Sequence, residues 1–380
     1  MRPAPVVTKL PPCDVLLIAP PQGRRARAFG ATLNDLGWPP ARVVSYLDLM
    51  EDRVRLADQV RPGSIVRFES PGEDIGTELA LIEMGGGPMV DLEAGELAPS
   101  RAWHAGFSQV LQALDAQLQN APPHTRMQQT AHILTMFDKP ATHARLGAAG
   151  VPVPEALPEV NSFDGLMVAA RERGWTRLFI KLAYGSSGSG IVALQWTGQR
   201  VSAATTVRQE AGRLLNSRRL IRSQDWAEIR ALIDALAPHR LHVERWLPKA
   251  SFGGGTIDLR VVVIGGEARH ALVRTSRGPI TNLHLGNQRG DIEALKTELG
   301  AERWTEVGRT AEAALAAFPG ALYGGVDLLL TPGWKRRAVL EVNAFGDYHR
   351  GILVGGRDTY AAELFALGQA KRGGQNAECA

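Results

Sequence analysis

One segment of the sequence constrains the fold more than any other, because it places a lysine inside an apolar strand and then a run of small residues. Lys181 lies in the apolar stretch Phe179–Leu182, which is typical of a buried strand. Gly185 to Gly190 are all glycine or serine, and β-branched residues resume directly after them. Such a loop can bring backbone N–H groups close to a phosphate and can adopt positive φ. The segment predicts a phosphate-covering hairpin or, with equal weight when taken alone, an ordinary glycine-rich hairpin whose lysine reaches solvent.

Two common phosphate-binding motifs are excluded. No Gly-Lys-Ser/Thr closes the loop after Lys181 and no helical pattern follows it, so it is not a Walker A loop. The first strand, Val15–Ala19, leads into Pro20–Arg25, which lacks the G-x-G-x-x-G of a dinucleotide site. We therefore do not expect NAD or FAD to bind at that turn.

The chain is too long for one ordinary core, since single cores stop growing near ~250–300 residues and this sequence has 380. Strand and helix signals alternate over residues 13–118, which predicts a parallel α/β domain. Beyond residue 178 the signals become antiparallel, and we expect two further units at 119–240 and 241–370. Helices are predicted at 24–36, 75–84, 104–118, 128–147, 208–215, 225–237 and 302–318, and strands at 42–47, 64–68, 241–247, 257–264, 268–275, 325–330 and 338–342. Gly265 and Gly266 are expected to form the turn between the strands at 257–264 and 268–275.

A second group of polar residues lies in apolar strands near the C-terminus. Asp327 is a lone carboxylate in the run Gly325–Leu330, while Glu341 and Asn343 are two residues apart and so point to one face of a strand. Three oxygen ligands from adjacent strands suit Mg²⁺ that is shared with phosphate oxygens. The alternative, two carboxylates at solvated strand ends, fits poorly with valine and leucine neighbours, because a buried unpaired carboxylate is costly.

A third group combines charges on a predicted strand pair. Asp258 and Arg260 share one strand face, Arg274 lies on the paired strand, and Asn282 follows in the segment Asn282–Asn287. Inward-facing cations near a phosphate can stabilise a phosphoryl group during transfer. The alternative is an ion pair on a solvated sheet, worth about 0–1 kcal/mol.

Composition excludes several classes of protein. The formal net charge is only +4, the 43 basic residues comprise 7 lysines and 36 arginines, and no tract of five to eight Lys/Arg occurs, so no nucleic-acid partner is predicted. No run of about 18 apolar residues is present, and no membrane span is expected. The two cysteines, Cys13 and Cys379, form no disulfide framework, which suits a reducing cytoplasm.

Together these motifs resemble the ATP-grasp superfamily, with the ribosomal-protein glutamate ligases and bacterial glutathione synthetases as the most similar members. The resemblance covers about residues 125–355. It rests on the strand lysine with its glycine loop, the segment His242–Leu247, the Asp258-x-Arg260 strand, Asn282-Leu-His284-x-Gly286, and Asp327 with Glu341-x-Asn343. Each motif is weak alone, and their occurrence in family order is what carries the resemblance.

The resemblance implies a fold and a set of roles. It implies an ATP-grasp unit of two α+β subdomains, 119–240 with the phosphate loop and 241–370 with the metal site, preceded by a pre-ATP-grasp α/β domain at 13–118. The implied nucleotide contacts are Lys139, Lys181, Gly185, Ser186, Ser187, Gly188, Ser189, Gly190, Asp258, and, for adenine, Glu244, Arg245, Trp246 and Leu247. Asp327, Glu341 and Asn343 match the ligands of Mg²⁺ or Mn²⁺, and Arg260, Arg274 and Asn282 match residues that face the γ-phosphate and the acyl phosphate.

The activity that the resemblance implies is ATP-dependent ligation of a carboxylate to an amine through an acyl phosphate, on a small molecule or a peptide. Two alternatives stay open: a phosphotransferase on a hydroxyl acceptor, and a nucleotide-binding module without catalysis. Homologous ligases are often dimers or tetramers, so a homo-oligomer is compatible with the resemblance.

Two segments depart from the family pattern. The residues after Asn343, Ala344–Gly351, differ from the small-residue turn that is usual there, so the family's substrates cannot be carried over. Residues 197–240 carry many arginines, and we expect them to form a solvated insert in preference to a lid or a surface for an acidic substrate.

Overall fold

The computed structural model describes residues 12–88, 92, 95–186, 188–345, 349 and 351–377. The strands in this part of the chain are β1 (Val15–Ile18), β2 (Arg42–Val44), β3 (Ile65–Phe68), β4 (Thr125–Arg126), β5 (Arg177–Leu182), β6 (Val192–Thr197), β7 (Arg200–Glu210), β8 (Arg213–Ser223), β9 (Leu241–Arg245), β10 (Ser251–Phe252), β11 (Gly255–Ile264), β12 (Glu267–Ser276), β13 (Gln288–Arg289), β14 (Tyr323–Leu330) and β15 (Arg337–Asn343). The α-helices are α1 (Arg24–Asp35), α2 (Tyr46–Met50), α3 (Leu56–Gln59), α4 (Ile75–Met84), α5 (Ser100–Gln119), α6 (Thr130–Phe137), α7 (Lys139–Ala148), α8 (Phe163–Glu172), α9 (Trp226–Leu236), α10 (Ile292–Ala316) and α11 (Thr359–Ala377).

The N-terminal sheet is parallel, as its alternating strands and helices predict. Its order is β2-β1-β3-β4, with β1 in the middle and buried on both faces. Leu16 and Ile18 pack toward the core that includes Phe107 of α5, while Leu17 packs in a second core with Phe29 of α1. A strand that is apolar at every position can be covered by helices on both sides.

The central sheet is antiparallel, in the order β8-β7-β6-β5-β9. Its apolar face includes Leu178 and Leu194 and packs in one core with Leu166 of α8 and Ile233 of α9. Successive side chains of a strand point to opposite faces. Lys181 therefore lies on the other face, toward the C-terminal sheet, where its ammonium is 3.5 Å from the carbonyl oxygen of Leu340.

The C-terminal sheet has the order β13-β12-β11-β14-β15, and β10 pairs with β11. Its long hairpin β11–β12 turns at Gly265 and Gly266, both at positive φ, as the sequence predicts. Helix α10 packs on this sheet through Leu295 and Leu315 within the largest apolar core. That core also contains side chains of α5 and α6, so the N-terminal and C-terminal sheets are joined by shared packing.

One helix prediction is wrong. Residues 208–215 are not helical but form the end of the hairpin β7–β8, which turns at Ala211 and Gly212 with φ of 49° and 80°. The hairpin tip pairs with a distant segment, since Leu97 N donates to Leu214 O over 2.8 Å and Asn216 N donates to Gly95 O over 2.6 Å. Contacts this distant in sequence leave no local periodicity, so the arginine-rich segment gave no reliable sign of the hairpin.

Capping side chains end one predicted strand early and divide one predicted helix into two. The strand expected at 42–47 ends at Val44, because Ser45 Oγ accepts hydrogen bonds from the N–H groups of Leu47 and Asp48 and starts α2. The helix expected at 128–147 is two helices, since Asp138 caps the start of α7 by accepting from Ala141 N. Short polar side chains compete with continuous structure at such positions.

Two strands pair in sheets that lie on the other side of the predicted domain boundaries. Strand β4 at Thr125–Arg126 joins the N-terminal sheet, and β9 at Leu241–Arg245 pairs with β5 of the central sheet. Grouped by sheet, the first unit reaches past residue 118 and the second past residue 240. No helix of the described residues is both long enough and apolar enough to cross a membrane.

Candidate active site

Lys181 forms a buried ion pair with Glu244. Its ammonium lies 2.8 Å from Glu244 Oε2 and 2.9 Å from Oε1, and both side chains are under 10% exposed. His242 Nε2 lies 3.0 Å from Glu244 Oε1 on the same strand face. Burial opposes ionisation of this carboxyl, but the Lys181 ammonium and the His242 contact bring the pKa of Glu244 down to about 2. The pair therefore holds the predicted phosphate lysine in place beside a carboxylate that stays ionised.

Lys139 joins the glycine loop to the C-terminal sheet. It is the first residue of α7, its ammonium donates to the carbonyl oxygen of Gly185, and it lies 3.2 Å from Glu341 Oε1. Its backbone N–H donates to Ala183 O over 3.0 Å, just before the loop. The two lysines that the sequence singles out thus lie beside the loop from different elements.

Arg240 supports both the start of α7 and the approach to the loop. Its Nη1 donates to Asp138 Oδ2 over 2.8 Å and to the Tyr184 hydroxyl over 2.6 Å. Asp138 caps the helix that begins with Lys139, and Tyr184 precedes Gly185. Arg240 therefore orients two segments that carry the phosphate-binding groups, and nothing in the sequence pattern distinguishes it from the other arginines.

The glycine loop is shaped by two residues at positive φ, Gly188 at 80° and Gly190 at 69°. A Cβ on Gly190 would lie 2.3 Å from the Leu182 side chain, and one on Gly188 would lie 2.7 Å from Asn282 Nδ2. Thr206 Oγ1 donates to Gly188 O over 2.9 Å. The loop is therefore held between the central sheet and Asn282 of the C-terminal subdomain, and only glycine fits at these two points.

The charged residues of the second and third groups lie on one face of the C-terminal sheet. Asp258 pairs in register with Arg274, Arg260 with Asp327, and Asp327 with Glu341. Residues that oppose each other in this way have side chains on the same face. The sequence predicts which side chains share a face within one strand. The register between strands places these faces next to one another.

Asp327 is held by two guanidinium groups. Arg260 donates to Asp327 through Nε and, over 3.0 Å, through Nη2, and Arg274 Nη2 lies 3.1 Å from Asp327 Oδ2. Burial raises the cost of ionisation, but the two arginines lower the pKa of Asp327 well below its usual range. The carboxylate is thus a permanent anion that already has two positive neighbours.

Both carboxylate oxygens of Asp258, next to this group, accept hydrogen bonds from neighbouring side chains. Asp258 accepts from Arg274 Nε over 2.7 Å, from Lys249 Nζ over 3.0 Å and from the Thr281 hydroxyl. Its side chain is 3% exposed. Asp258 therefore orients the cations around Asp327, and the nucleotide contact that the resemblance implies for it stays a prediction.

The remaining predicted residues differ in whether they face the cleft between the central and C-terminal sheets. Arg245 points away, since its guanidinium pairs with Glu155 over 2.8 Å. Trp246 packs its ring under the Arg177 guanidinium at 4.4 Å, on the side of the cleft. Ser186 is exposed at the loop, and Ser187 lies outside the described residues.

The described residues contain one further site residue that the sequence did not reveal. Lys249 is 9% exposed at its side chain and binds Asp258 and the Thr281 hydroxyl, the latter over 2.5 Å. A signal existed, because only seven lysines occur in the chain and this one follows the predicted adenine segment by two residues. It lies in a stretch with a proline and small residues, which gave no reason to place it next to Asp258.

The donor set near Asp327 fits a divalent ion that arrives with a nucleotide. Asp327, Glu341 and Asn343 supply hard oxygen ligands on one sheet face, with Asn343 held by its amide to Gly325 O over 3.1 Å. Among the described residues no cluster of three or more His, Cys, Asp or Glu is placed to hold a metal by itself. Mg²⁺ usually takes one or two carboxylates and completes its shell with phosphate and water, which is the kind of site these residues offer.

Comparison with known proteins was made at the level of sequence and of structure. No protein-family model matches the sequence, and no curated protein is significantly similar to it. Solved structures do match over nearly the whole chain. An ADP complex of N5-carboxyaminoimidazole ribonucleotide synthetase superposes with a TM-score of 0.60 at 14% identity, covering 95% of this chain and 79% of that one.

Two further structures extend the comparison. The ATP-grasp ligase PsnB in complex with a minimal precursor gives a TM-score of 0.53 at 15% identity, covering 93% of this chain and 99% of that one. D-alanine–D-alanine ligase from Bacillus anthracis in complex with ATP gives 0.52 at 14% identity, covering 96% and 99%. These likenesses, together with the parallel N-terminal sheet and the two antiparallel sheets, confirm the predicted fold. The chain has the ATP-grasp fold.

Proposed function

We propose that this protein is an ATP-dependent ligase that joins a carboxylate to an amine through an acyl phosphate. The observation that carries the proposal is the convergence of Lys139, the glycine loop and Glu341, in which one ammonium lies between a loop carbonyl and a carboxylate of the opposite sheet. Cations that line a loop of exposed backbone N–H groups favour a polyphosphate. The fold is shared with enzymes whose structures contain ADP or ATP, which supports the same ligand here.

The nucleotide would lie along the cleft between the central and C-terminal sheets. Lys139, Lys181 and the backbone of Gly185–Gly190 would contact its phosphates, and the segment from Glu244 to Leu247 would contact the base. Because Lys181 is already fixed by Glu244, it would offer a charge at a set position without the cost of ordering a free side chain.

Asp327, Glu341 and Asn343 would hold Mg²⁺ between the protein and the phosphates, with Mn²⁺ as a substitute. Such an ion neutralises charge on the phosphates and orients them for in-line transfer. Lys139 and the two arginines occupy these carboxylates in the structure, so binding exchanges one set of ion pairs for another.

The reaction follows from the need to activate a carboxylate, which is a poor electrophile until one of its oxygens becomes part of a leaving group. A carboxylate oxygen would form a bond to the γ-phosphorus while the bond from that phosphorus to the ADP oxygen breaks. The amine would then attack the acyl carbon, lose a proton to solvent or to a second amine, and release inorganic phosphate. Arg260, Arg274 and Asn282 would stabilise the transferring phosphoryl group and the acyl phosphate. The pairing of both arginines with Asp327 and the contact of Asn282 with the glycine loop support this assignment.

We also propose the division into an α/β domain at 13–118 and two ATP-grasp subdomains at 119–240 and 241–370, with β4 and β9 exchanged between neighbours at the boundaries. The substrates would be a small molecule or a peptide with a free carboxylate and a second molecule with an amine. The protein would act in the cytoplasm, without nucleic acid and without a membrane, either as a monomer or as a homo-oligomer.

The proposal is tested by phosphate release from MgATP with pooled amino acids and short acidic peptides, offered as acid and amine separately and together. A ligase releases phosphate only when both substrates are present, and its product has the summed mass less one water. A phosphotransferase gives a product that carries the phosphoryl group and releases no free phosphate. Hydroxylamine in place of the amine should yield a hydroxamate if an acyl phosphate forms.

The matched control is Glu341→Gln, which removes one charge without changing the shape of the side chain. Loss of phosphate release together with loss of hydroxamate would support the site assignment. MgATP binding with no turnover on any acid and amine pair would favour a nucleotide-binding module and would contradict the ligase proposal.

A further inference from the structure

A cavity of about 370 Å³ lies between the inner face of the central sheet and the β10–β12 side of the C-terminal sheet. One wall carries Arg177 of β5 and Arg222 of β8, and the opposite wall carries Arg277, which follows β12. Trp246 and Lys249 lie at the junction of the two walls. Known binding pockets for small ligands commonly have volumes in this range.

The charged side chains that line this cavity are all cationic. Three arginines and one lysine border it, and no acidic side chain of the described residues does. Within the described part of the chain Arg222 and Arg277 form no ion pair, although most arginines near the cleft do. Like charges that face one another across a cleft repel, and a bound anion is what removes that repulsion.

The nucleotide does not account for these charges. Lys139, Lys181 and the loop Gly185–Gly190 border the phosphate end of the cleft, and none of them lines the cavity. The cavity begins at Trp246, in the segment that would contact the base, and a base and its ribose carry no charge that Arg222 and Arg277 could neutralise. Both arginines are exposed to solvent, so they are accessible to an anionic group of a second ligand.

The cavity is connected to the charged face of the C-terminal sheet through Lys249. The Lys249 ammonium binds Asp258, Asp258 accepts from Arg274, and Arg274 contacts Asp327. Lys249 is therefore shared between the cavity and the network that surrounds the proposed phosphoryl-transfer site. An anion in the cavity would attract the Lys249 ammonium and change how firmly Asp258 holds Arg274.

We propose that the cavity binds carboxylate groups of an acidic substrate, such as a segment rich in glutamate or a small polycarboxylate, with Arg222 and Arg277 as the residues that select it. The reaction that such a substrate would undergo rests on the proposed function. Its binding in the cavity does not. The assignment names a substrate class for the same cleft: acids that carry more negative charge than the one carboxylate to be activated.

The test is equilibrium binding of acetyl-tetraglutamate amide to the full chain by calorimetry, with acetyl-tetraglutamine amide as the neutral probe. The double variant R222Q/R277Q should bind tetraglutamate at least tenfold more weakly. The single variant R219Q should bind like the wild type, because Arg219 is an exposed arginine of the same strand that does not line the cavity. Wild-type affinity should fall as NaCl rises from 50 to 300 mM, and tetraglutamine should not bind.

Several outcomes would overturn the proposal. Equal losses in R219Q and in R222Q/R277Q would show general attraction to a basic surface. A loss of MgATP affinity in the double variant as large as its loss of tetraglutamate affinity would assign the cavity to the nucleotide. Binding of inorganic pyrophosphate at this site without binding of tetraglutamate would assign the cations to phosphate and not to carboxylates. None of these outcomes depends on turnover, so failure of the ligase proposal is detected separately by Glu341→Gln.

Discussion

The Lys139 ammonium lies 3.2 Å from Glu341 Oε1 and also donates to the carbonyl oxygen of Gly185. The two residues are about 200 positions apart in the sequence, and one belongs to α7 while the other belongs to β15. Their contact closes the phosphate end of the cleft. In the proposed complex, Lys139 and Glu341 would exchange this ion pair for contacts with phosphate and with the metal.

Lys139→Gln should weaken ATP binding about 10- to 100-fold, since a charge-assisted hydrogen bond to phosphate is worth about 1.5–3 kcal/mol. The free energy of unfolding should fall by no more than about 1 kcal/mol, because the Glu341 carboxylate is 26% exposed and keeps its contact with water when the ammonium is removed. The measurement is MgATP titration by calorimetry, with thermal unfolding beside it. Lys335→Gln, at an exposed position outside the cleft, is the control and should leave both quantities unchanged.

Glu341→Gln should lower the rate of ATP-dependent phosphate release by about 100-fold or more, because it removes one of two carboxylates offered to the metal. Addition of EDTA should abolish turnover in the wild type and leave its melting temperature unchanged. The reason is that Asp327 and Glu341 are already neutralised by arginine and lysine when no metal is bound. A large drop in melting temperature on chelation would contradict this description of the metal-free state.

Gly190→Ala should disrupt the glycine loop, because φ is 69° and the new Cβ would lie 2.3 Å from Leu182. Gly198→Ala is a matched control, since Gly198 also has positive φ, 58°, but nothing lies within 4 Å of its Cβ position. Both variants carry the backbone cost of about 1 kcal/mol, and only the first adds a steric clash. ATP binding should fall in Gly190→Ala alone, and equal effects in the two variants would contradict a special role for the loop.

Glu363 should make the protein less stable as pH rises through neutrality. Arg67 lies between Glu69 and Glu363, at 2.7 and 2.5 Å, in a site with almost no exposure. Burial outweighs the attraction of Arg67 and raises the pKa of Glu363 to about 7 from 4.5. A group whose pKa is raised by folding contributes stability below its unfolded pKa and loses it as pH rises through the folded value.

The wild type should therefore lose up to about 3 kcal/mol of unfolding free energy between pH 4.5 and 8 from this group, and Glu363→Gln should lack that component. Urea unfolding at pH 5 and pH 8 measures the difference. Glu302→Gln, at an exposed position of α10, should keep the wild-type pH dependence. If the curves of wild type and Glu363→Gln stayed parallel across this range, Glu363 would not be the titrating group.

Local patterns predicted the parts of the site that lie within single strands. The alternation around Lys181, the two-residue spacing of Glu341 and Asn343, and the turn at Gly265 follow from strand geometry alone. The face on which these side chains lie could therefore be inferred. Their mutual pairing could not, because register between strands is set by packing that the sequence does not display.

The elements that sequence reasoning missed depend on contacts between distant segments. The hairpin β7–β8 is fixed by pairing with residues 95–97, and Arg240 gains its role from Asp138 and Tyr184, about 100 and 56 residues away. Lys249 precedes β10 and Asp258 lies on β11, nine residues later, and the pairing of β10 with β11 brings the two together. Such relationships are properties of the folded chain, not of a window of sequence.

The hairpin β7–β8 contacts both neighbours of the central sheet. Its tip pairs with residues 95–97 of the N-terminal unit, and Leu220 of β8 lies against Gly278 of the C-terminal subdomain. The central subdomain is thus joined to its neighbours by the covalent chain and also by backbone hydrogen bonds at the hairpin tip. A movement of the central sheet away from the N-terminal unit would therefore have to break these backbone hydrogen bonds or carry residues 95–97 with it.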